Sequence, residues 1–337
     1  MTDPHTVDVG GPWFEDFAVG QAFDAPAVTL TAGHAALLHS LAGDRLRLPL
    51  DHHASAIVTG VDRPLAHPLL AINVAIGQST WASQRVKANL FYRGLLLKRA
   101  VHLGDTLATA TRVVALKQNK TQPGRAATGL VALEMSTHNQ RGEEVLHFWR
   151  CPMIPCRDAE AATGHADDLA QVGADVDAAA VRAVVPAWDI TAVSSQWQGR
   201  KAADIEPGTR FVVEARDSVT CAPELVRATL NMAMAHTDAN LSYLGDRLVY
   251  GGHTISIAFA QVTRALPNLC TILAWDSCDH TAPVVENDRL RSEVSVLESH
   301  ALPQGALLRL RVETWAARGE PEKEERVLDW RFWAWSA

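Results

Sequence analysis

The distribution of apolar residues predicts one buried helix in each half of the chain. Residues 253–266 are apolar on nearly every side, with Ile255, Ile257 and Phe259 among them. A helix that is hydrophobic all round must be enclosed by other structure. Residues 69–80 have the same character in the first half, so we expect two helices at the centres of two cores.

Strand-like alternation follows each predicted helix. A period of two between apolar and polar positions indicates a strand with one buried face. These segments are 106–116, 127–136 and 144–153 in the first half, and 291–297, 306–313 and 326–335 in the second. The pattern predicts an α+β protein in which each half wraps an antiparallel sheet around a central helix.

The two halves share short sequence matches in the same order, which indicates a tandem duplication. Residues 16–23 and 204–211 match at an offset of 188, and residues 104–107 and 287–290 match at 183. Residues 144–150 and 326–332 match at 182. Each match alone is weak, and the interpretation depends on their near-constant spacing.

The stretch rich in Ala, Asp and Gly between the repeats marks a boundary. We divide the chain into an N-terminal unit at 13–156, a connector at 157–187 and a C-terminal unit at 188–337. Residues 178–185 of the connector have the composition of a short helix. The first dozen residues, rich in Asp, Pro, Thr and Gly, are typical of a loose tail.

Composition narrows the classes of function. The 337 residues carry a net charge of −7 without a long basic run, so neither nucleic acid nor an anionic membrane is indicated as a partner. No apolar run approaches the roughly 20 residues of a membrane span, and residues 1–11 lack the features of a signal peptide, so we expect a cytosolic protein. The five cysteines follow no disulfide or zinc spacing, and no metal or organic cofactor is implied.

Residues 231–238, NMAMAHTD, and 247–253, RLVYGGH, resemble the hydratase motif of MaoC-type enzymes. In that family an Asp and, five residues later, a His precede a glycine at the start of the central helix. The pieces FEDF at 14–17, NQRGEEV at 139–145 and LVYGGH at 248–253 are similar to the mesaconyl-CoA hydratase, or β-methylmalyl-CoA dehydratase, branch. The resemblance covers nearly the whole chain and implies a double hot-dog fold and a CoA thioester substrate.

Hydration of a double bond conjugated to a thioester needs a proton relay, a positioned water and a stabiliser for the enolate-like oxygen. The resemblance implies that His236 is the general acid/base and that Asn231 orients the water, in place of the family's carboxylate. The backbone amides of Gly251, Gly252 and His253, at the positive end of the helix dipole, are the predicted oxyanion site.

Each of these assignments has a structural alternative. His236 could pack near a helix end with its nitrogens bonded to backbone, Asn231 could close a turn, and the glycine pair could serve backbone shape alone. An amide cannot take a proton from water at neutral pH. Asp238 is therefore a second candidate for the missing carboxylate, or else a solvated cap.

Further residues are candidates for substrate contact. Asp279 and His280 precede a strand predicted at Pro283, near the mouth of the helix. Arg247 and Arg264 suit a substrate carboxylate or the CoA phosphates, because guanidinium groups bind both. Surface placement is the alternative for all four side chains.

The first half has Asp44 and Pro49 at the positions 187 residues before the predicted catalytic pair. Because proline cannot relay a proton, we interpret this copy as structural or as a wall of the acyl-CoA site. His52 and His53 nearby do not form a recognised metal-binding pattern.

The sequence thus predicts a lyase that reversibly adds water to a short-chain 2-enoyl-CoA, with mesaconyl-CoA as one example. An acyl-CoA thioesterase is an alternative within the fold, but it often uses an acid on the central helix, and neither predicted helix contains one. A non-catalytic acyl-CoA-binding accessory protein is the other alternative, favoured by Asn231. A homodimer is a further hypothesis, because hot-dog sheets tend to associate.

Overall fold

The computed structural model describes residues 6–7, 9–120, 124–173, 176–319 and 321–337. Its strands, numbered along the chain, are β1 Ala22–Phe23, β2 Val28–Thr29, β3 Ala88–Leu97, β4 Thr106–Gln118, β5 Thr128–His138, β6 Glu144–Pro155, β7 Arg210–Val212, β8 Asp217–Ser218, β9 Leu269–His280, β10 Arg289–Ala301, β11 Ala306–Arg318 and β12 Lys323–Ser336. Its α-helices are α1 Ala32–Ala42, α2 Arg47–Leu50, α3 His52–Thr59, α4 Pro68–Gln78, α5 Ala178–Ala183, α6 Thr191–Ser194, α7 Ala222–Ala228 and α8 Gly251–Ala265. The predicted α+β class is confirmed.

The strands form one antiparallel sheet that runs through both halves. Its order is β1-β4-β5-β6-β3-β9-β12-β11-β10-β7, with β2 on β4 and β8 on β10. The block of strands from each half meets the other where β3 pairs with β9, through partners such as Tyr92 and Cys278. The two halves therefore cover each other's sheet edge.

Sequence patterning missed β3 and β9, the two strands at this junction. Residues 269–275 of β9 are buried at every position, so no apolar-polar alternation marks that strand. The pairing of β3 with β6 shifts register between Asn89 and Tyr92 and again between Arg93 and Leu96. Such irregularities break the period of two by which a strand is recognised.

Each half encloses one buried helix, as the apolar pattern predicted. Every residue of α4 is buried, and α8 is buried from Gly252 to Thr263. Helix α8 begins two residues before the predicted start, so the glycine pair lies in its first turn. Helix α4 is followed by a 3₁₀ turn, Ser79–Ala82. Within the described residues, no helix combines the length and apolar character needed to cross a membrane.

The central helices of the two halves touch. Asn73 of α4 donates from Nδ2 to Ser256 Oγ of α8 at 3.3 Å, and its Oδ1 accepts from the phenol of Tyr250 at 3.0 Å. A Cβ on Gly252 would lie 2.1 Å from Asn73 Oδ1. Glycine is therefore needed at this position for the start of α8 to lie against the first half.

The chain between the halves lies along the protein surface. Lys117 of β4 forms a bridge with Ala166, and Leu169 and Val181 are buried. Helix α5 falls within 178–185, where a short helix was expected. The connector therefore contributes apolar contacts as well as a link.

Candidate active site

A cavity of about 260 Å³ lies where the two halves meet at the N-terminus of α8. The second half contributes the loop before α8, the first turn of that helix and the end of β9, while the first half contributes β3, β6 and the end of α4. Of the predicted site residues, the cavity brings together Asn231, His236, Gly251 and His280. The site therefore belongs to both halves.

His236 lies on the cavity wall with its ring orientation fixed. It ends the 3₁₀ turn Met234–His236, its side chain is buried, and its Nδ1 lies 2.8 Å from the carbonyl oxygen of Leu248. Because a carbonyl only accepts, Nδ1 carries the hydrogen and Nε2 keeps its lone pair.

The electrostatic surroundings keep His236 uncharged. Burial, helped by the nearby cation of Arg150 and opposed by the hydrogen bond to Leu248, lowers the pKa of His236 to about 4. A charged imidazole is penalised in a buried site. At pH 7 the ring is therefore neutral and able to accept a proton at Nε2.

Asn231 presents an amide whose oxygen is already engaged. It follows Leu230, which has a positive φ of 57°, and its Oδ1 accepts from the backbone N–H of Ala233 at 2.9 Å. This local bond closes a turn, and it leaves the two N–H bonds of Nδ2 for other partners. Asn231 is buried on the cavity wall, where it can donate to a water oxygen.

The first turn of α8 offers fewer free amides than predicted. The N–H of His253 donates to the carbonyl oxygen of Tyr250 at 2.8 Å, and His253 is a buried residue outside the cavity lining. Gly251 lines the cavity, whereas Gly252 lies outside the lining and packs on Asn73. The first amides of a helix lack partners within it, so Gly251 and Gly252 remain as donors for an anionic oxygen.

His280 contributes a second neutral imidazole. It is the last residue of β9, so the strand predicted at Pro283 is wrong, and Pro283 lies in the segment between β9 and β10. Burial, together with repulsion from His236, lowers the pKa of His280 to about 4. Its Nε2 is buried and has no hydrogen-bond partner in the described part of the chain. Asp279 beside it does not line the cavity.

Three other predicted residues lie outside the cavity lining. Asp238 is exposed and caps the 3₁₀ turn Ala239–Leu241 by accepting from Asn240. Arg247 pairs with Glu286, and Arg264 pairs with Asp217. These contacts are those of surface caps and ion pairs, the structural alternatives considered above.

Sequence reasoning overlooked Arg150 and Tyr92, which reach the cavity from β6 and β3 of the first half. A signal for Arg150 was present. Along β6 the buried positions include Leu146, Phe148 and Arg150, so a cation occupies a position that the period of two assigns to the core. Tyr92 gave no signal, because β3 itself was not recognised.

The first-half counterpart of the catalytic pair is built into the fold. Oδ1 of the buried Asp44 accepts from the backbone N–H of Leu46 at 2.6 Å and lies 3.2 Å from Nε2 of His67. Pro49 is buried in α2. His52 and His53 are exposed at the start of α3.

Comparison with curated proteins finds two relatives that span most of the chain, although no protein-family model matches it. The chain is 30% identical over 324 residues to the β-methylmalyl-CoA dehydratase of Chloroflexus aurantiacus, covering 92% of this chain and 89% of that protein. It is 30% identical over 349 residues to the mesaconyl-CoA hydratase of Cereibacter sphaeroides, covering 96% and 97%.

The solved structures that superpose on this chain indicate the same family as these relatives. A conserved Mycobacterium tuberculosis protein, described as having a double hot-dog fold, superposes with a TM-score of 0.91 at 47% identity, over 98% of this chain and 100% of that one. A MaoC domain protein dehydratase of Chloroflexus aurantiacus superposes with a TM-score of 0.85 at 26% identity, over 98% and 99%. The chain therefore belongs to the MaoC-like double hot-dog dehydratase and hydratase family, a family of hydro-lyases, in the branch of the β-methylmalyl-CoA dehydratases and mesaconyl-CoA hydratases.

Proposed function

We propose that this protein reversibly hydrates a short-chain 2-enoyl-CoA to the 3-hydroxyacyl-CoA, with mesaconyl-CoA and β-methylmalyl-CoA as the leading pair. The observation that carries the proposal is the fixed tautomer of His236. Its Nδ1 is bonded to the Leu248 carbonyl, which leaves a neutral Nε2 in the cavity that Gly251 also lines. The two curated relatives carry the names of this reaction and of its reverse.

The cavity residues supply each part of a hydration. In the proposed complex, the thioester oxygen accepts from the amides of Gly251 and Gly252, and a water accepts from Nδ2 of Asn231. His236 takes a proton at Nε2 as the water oxygen bonds to C3 of the acyl group. The π electrons move toward the thioester oxygen, where the helix N-terminus stabilises the negative charge.

Protonation at C2 completes the addition. The imidazolium of His236 is more acidic than an ordinary histidine, because burial lowers its pKa, so it readily gives the proton to C2 of the enolate. The product then carries a hydroxyl at C3 and the enzyme regains its neutral imidazole. Dehydration follows the same steps in reverse.

Two alternatives are weaker. The thioesterase hypothesis is disfavoured by the lack of an acid on either central helix, since neither α4 nor α8 contains Asp or Glu. The hypothesis of an acyl-CoA-binding accessory protein is favoured by Asn231, because its amide cannot act as a base. It is disfavoured by the oriented, neutral His236 in a cavity.

The first test is hydration of crotonyl-CoA and mesaconyl-CoA by the purified chain, followed by the loss of enoyl absorbance. We expect turnover of at least one ester and a loss of roughly 100- to 10,000-fold in His236→Ala, because a general acid/base contributes about that much. His52→Ala, which removes an exposed histidine, is the matched control and should match the wild type.

The outcome that overturns the proposal is binding of the CoA esters without hydration of either. The hypothesis of an acyl-CoA-binding accessory protein would then replace the proposed hydratase function. Asn231→Asp is a further check on catalysis, because it restores the carboxylate found in the family. We expect this variant to hydrate the same ester at least as fast as the wild type, whereas Asn231→Ala should be slower by about 10-fold or more, through loss of the water contact.

A further inference from the structure

Arg150 places an unpaired positive charge beside the proposed reaction centre. The residue is only 3% exposed and lines the cavity. Within the described residues its side chain donates hydrogen bonds from Nη2 alone, to Ser79 O at 3.1 Å and Ser83 Oγ at 2.6 Å. Its Nε is buried without a hydrogen-bond partner in the described residues. Part of the guanidinium is therefore left to serve a ligand.

The surrounding groups do not neutralise this charge. The ionisable groups that act on Arg150 are Tyr92, Tyr250 and Cys151. Burial raises the pKa of Tyr92 and that of Cys151 to about 12, and raises the pKa of Tyr250 well above its ordinary value. All three are uncharged at pH 7, and no carboxylate among the described residues forms an ion pair with Arg150.

The fold itself does not require a cation at this position. In the repeat, Arg150 matches Phe332. The strand register supports the match, because Arg150 pairs with Tyr92 across β6 and β3 while Phe332 pairs with Trp275 across β12 and β9. Phe332 is a fully buried core residue. An unpaired buried charge is unfavourable where an apolar side chain fits, so Arg150 has a use other than packing.

The position of Arg150 identifies the part of a CoA ester that it can reach. Its strand partner Tyr92 packs edge-on against the ring of His280, with 6.2 Å between ring centroids. His280 in turn lies against Gly251, since a Cβ added there would meet its Nε2 at 2.4 Å. Arg150 therefore belongs to the wall around the acyl group. A cavity of about 260 Å³ is too small to enclose the nucleotide part of CoA as well.

Building on the proposed hydratase function, we propose that Arg150 is the specificity-determining residue that binds a carboxylate on the acyl group, so that the site prefers carboxylated 2-enoyl-CoA esters. Guanidinium N–H groups form charge-assisted hydrogen bonds with a carboxylate, and a buried site strengthens them. The half of the chain that lacks the catalytic histidine thus supplies the recognition of the substrate. Binding of the substrate carboxylate also offsets the positive charge of Arg150, which otherwise lowers the pKa of His236. The imidazole is therefore more basic while the substrate is bound.

The test compares Arg150→Met with the wild type on mesaconyl-CoA, which has the extra carboxylate, and on crotonyl-CoA, which lacks it. We expect kcat/KM for mesaconyl-CoA to fall by roughly 100-fold or more, because the substrate carboxylate is then buried without its partner. The value for crotonyl-CoA should stay within about 3-fold. Arg112→Met, at an exposed position of β4, is the matched control and should change neither value.

A similar loss on both esters overturns the proposal. Arg150 would then act on the thioester oxygen, which both share, or on the fold, and a lowered Tm of Arg150→Met would indicate the fold. No loss on either ester also overturns it. The apolar side chain should be tolerated, because the matching position in the other half is Phe332.

Equilibrium binding separates this inference from the proposed function. Succinyl-CoA and butyryl-CoA are saturated, so neither can be hydrated, and only the first has the additional carboxylate. We expect the wild type to bind succinyl-CoA more tightly and Arg150→Met to lose that preference, whether or not the chain hydrates any ester. Equal binding of both esters by the wild type would overturn the role of Arg150, even if hydration is confirmed.

Discussion

The phenol of Tyr250 donates a hydrogen bond to Oδ1 of Asn73 at 3.0 Å, which joins the residue that precedes one central helix to the middle of the other. Both residues are buried. Tyr250 also packs against His236, with 5.6 Å between ring centroids. The contact between the halves therefore also positions a wall of the cavity.

The close approach of the helices predicts that Gly252→Ala destabilises the protein. The new Cβ would lie 2.1 Å from Asn73 Oδ1 and 2.4 Å from the Tyr250 ring. Overpacking of this kind costs about 1–3 kcal/mol, measurable as a lower free energy of unfolding in urea. Gly33→Ala in the exposed part of α1 is the control, and it should stabilise by up to about 1 kcal/mol. Equal stability of the two variants would contradict the contact.

Gly251→Ala should impair activity more than stability. Its Cβ would lie 2.4 Å from Nε2 and 2.7 Å from Cε1 of His280, so the imidazole must move. A displaced side chain or helix turn in an active site reduces kcat/KM by about 10- to 100-fold. In a His280→Ala background the clash is absent, and the glycine substitution should then have little additional effect. Simple additivity of the two substitutions would contradict this coupling.

The pH dependence of kcat/KM should report the low pKa of His236. Hydration needs the neutral imidazole, and the pKa of about 4 keeps it neutral through the range from pH 8 to about pH 5. Besides Arg150, the titratable groups facing His236 are His280 and Tyr250. Arg150→Met removes the cation that helps to lower the pKa of His236. In this variant the decrease of kcat/KM for crotonyl-CoA at acid pH should therefore begin at a higher pH than in the wild type. A decrease of the wild-type kcat/KM with a midpoint near pH 6.5 would contradict a buried His236 that is neutral at pH 7.

Stability should decrease as the pH falls from about 6.5 toward 4. Burial lowers the pKa of His253 to about 4, whereas in the unfolded chain histidine titrates near its ordinary value of about 6.5. Between these values the unfolded state binds more protons than the folded state. The contribution of His253 to the free energy of unfolding is therefore complete above about pH 6.5 and is lost toward pH 4. His253→Leu removes this group, and urea unfolding at pH 7 and pH 5 should show a smaller difference than in the wild type. An unchanged difference would contradict the assignment, and His52→Leu is the exposed control.

The sequence by itself determined the elements that have a strong local pattern. The two all-apolar segments at 69–80 and 253–266 indicated the buried helices α4 and α8, and the alternating segments became β4, β5, β6, β10, β11 and β12, each ending later than predicted. The repeat and the motif around His236 and Gly251 indicated the family and the half that contains the histidine. These features are encoded within short stretches, where period and residue type determine the structure.

Only the tertiary structure decided which residues share the cavity. Arg150 and Tyr92 reach it because β3 pairs with β9 and carries the first half against the second, a long-range pairing with no local pattern. The same packing placed Asp238, Arg247 and His253 outside the cavity lining, although all three lie within the two segments that resemble the family motif. Neighbours in sequence differ in the direction of their side chains, and a site is assembled by direction and packing, which the spacing of residues along the chain does not contain.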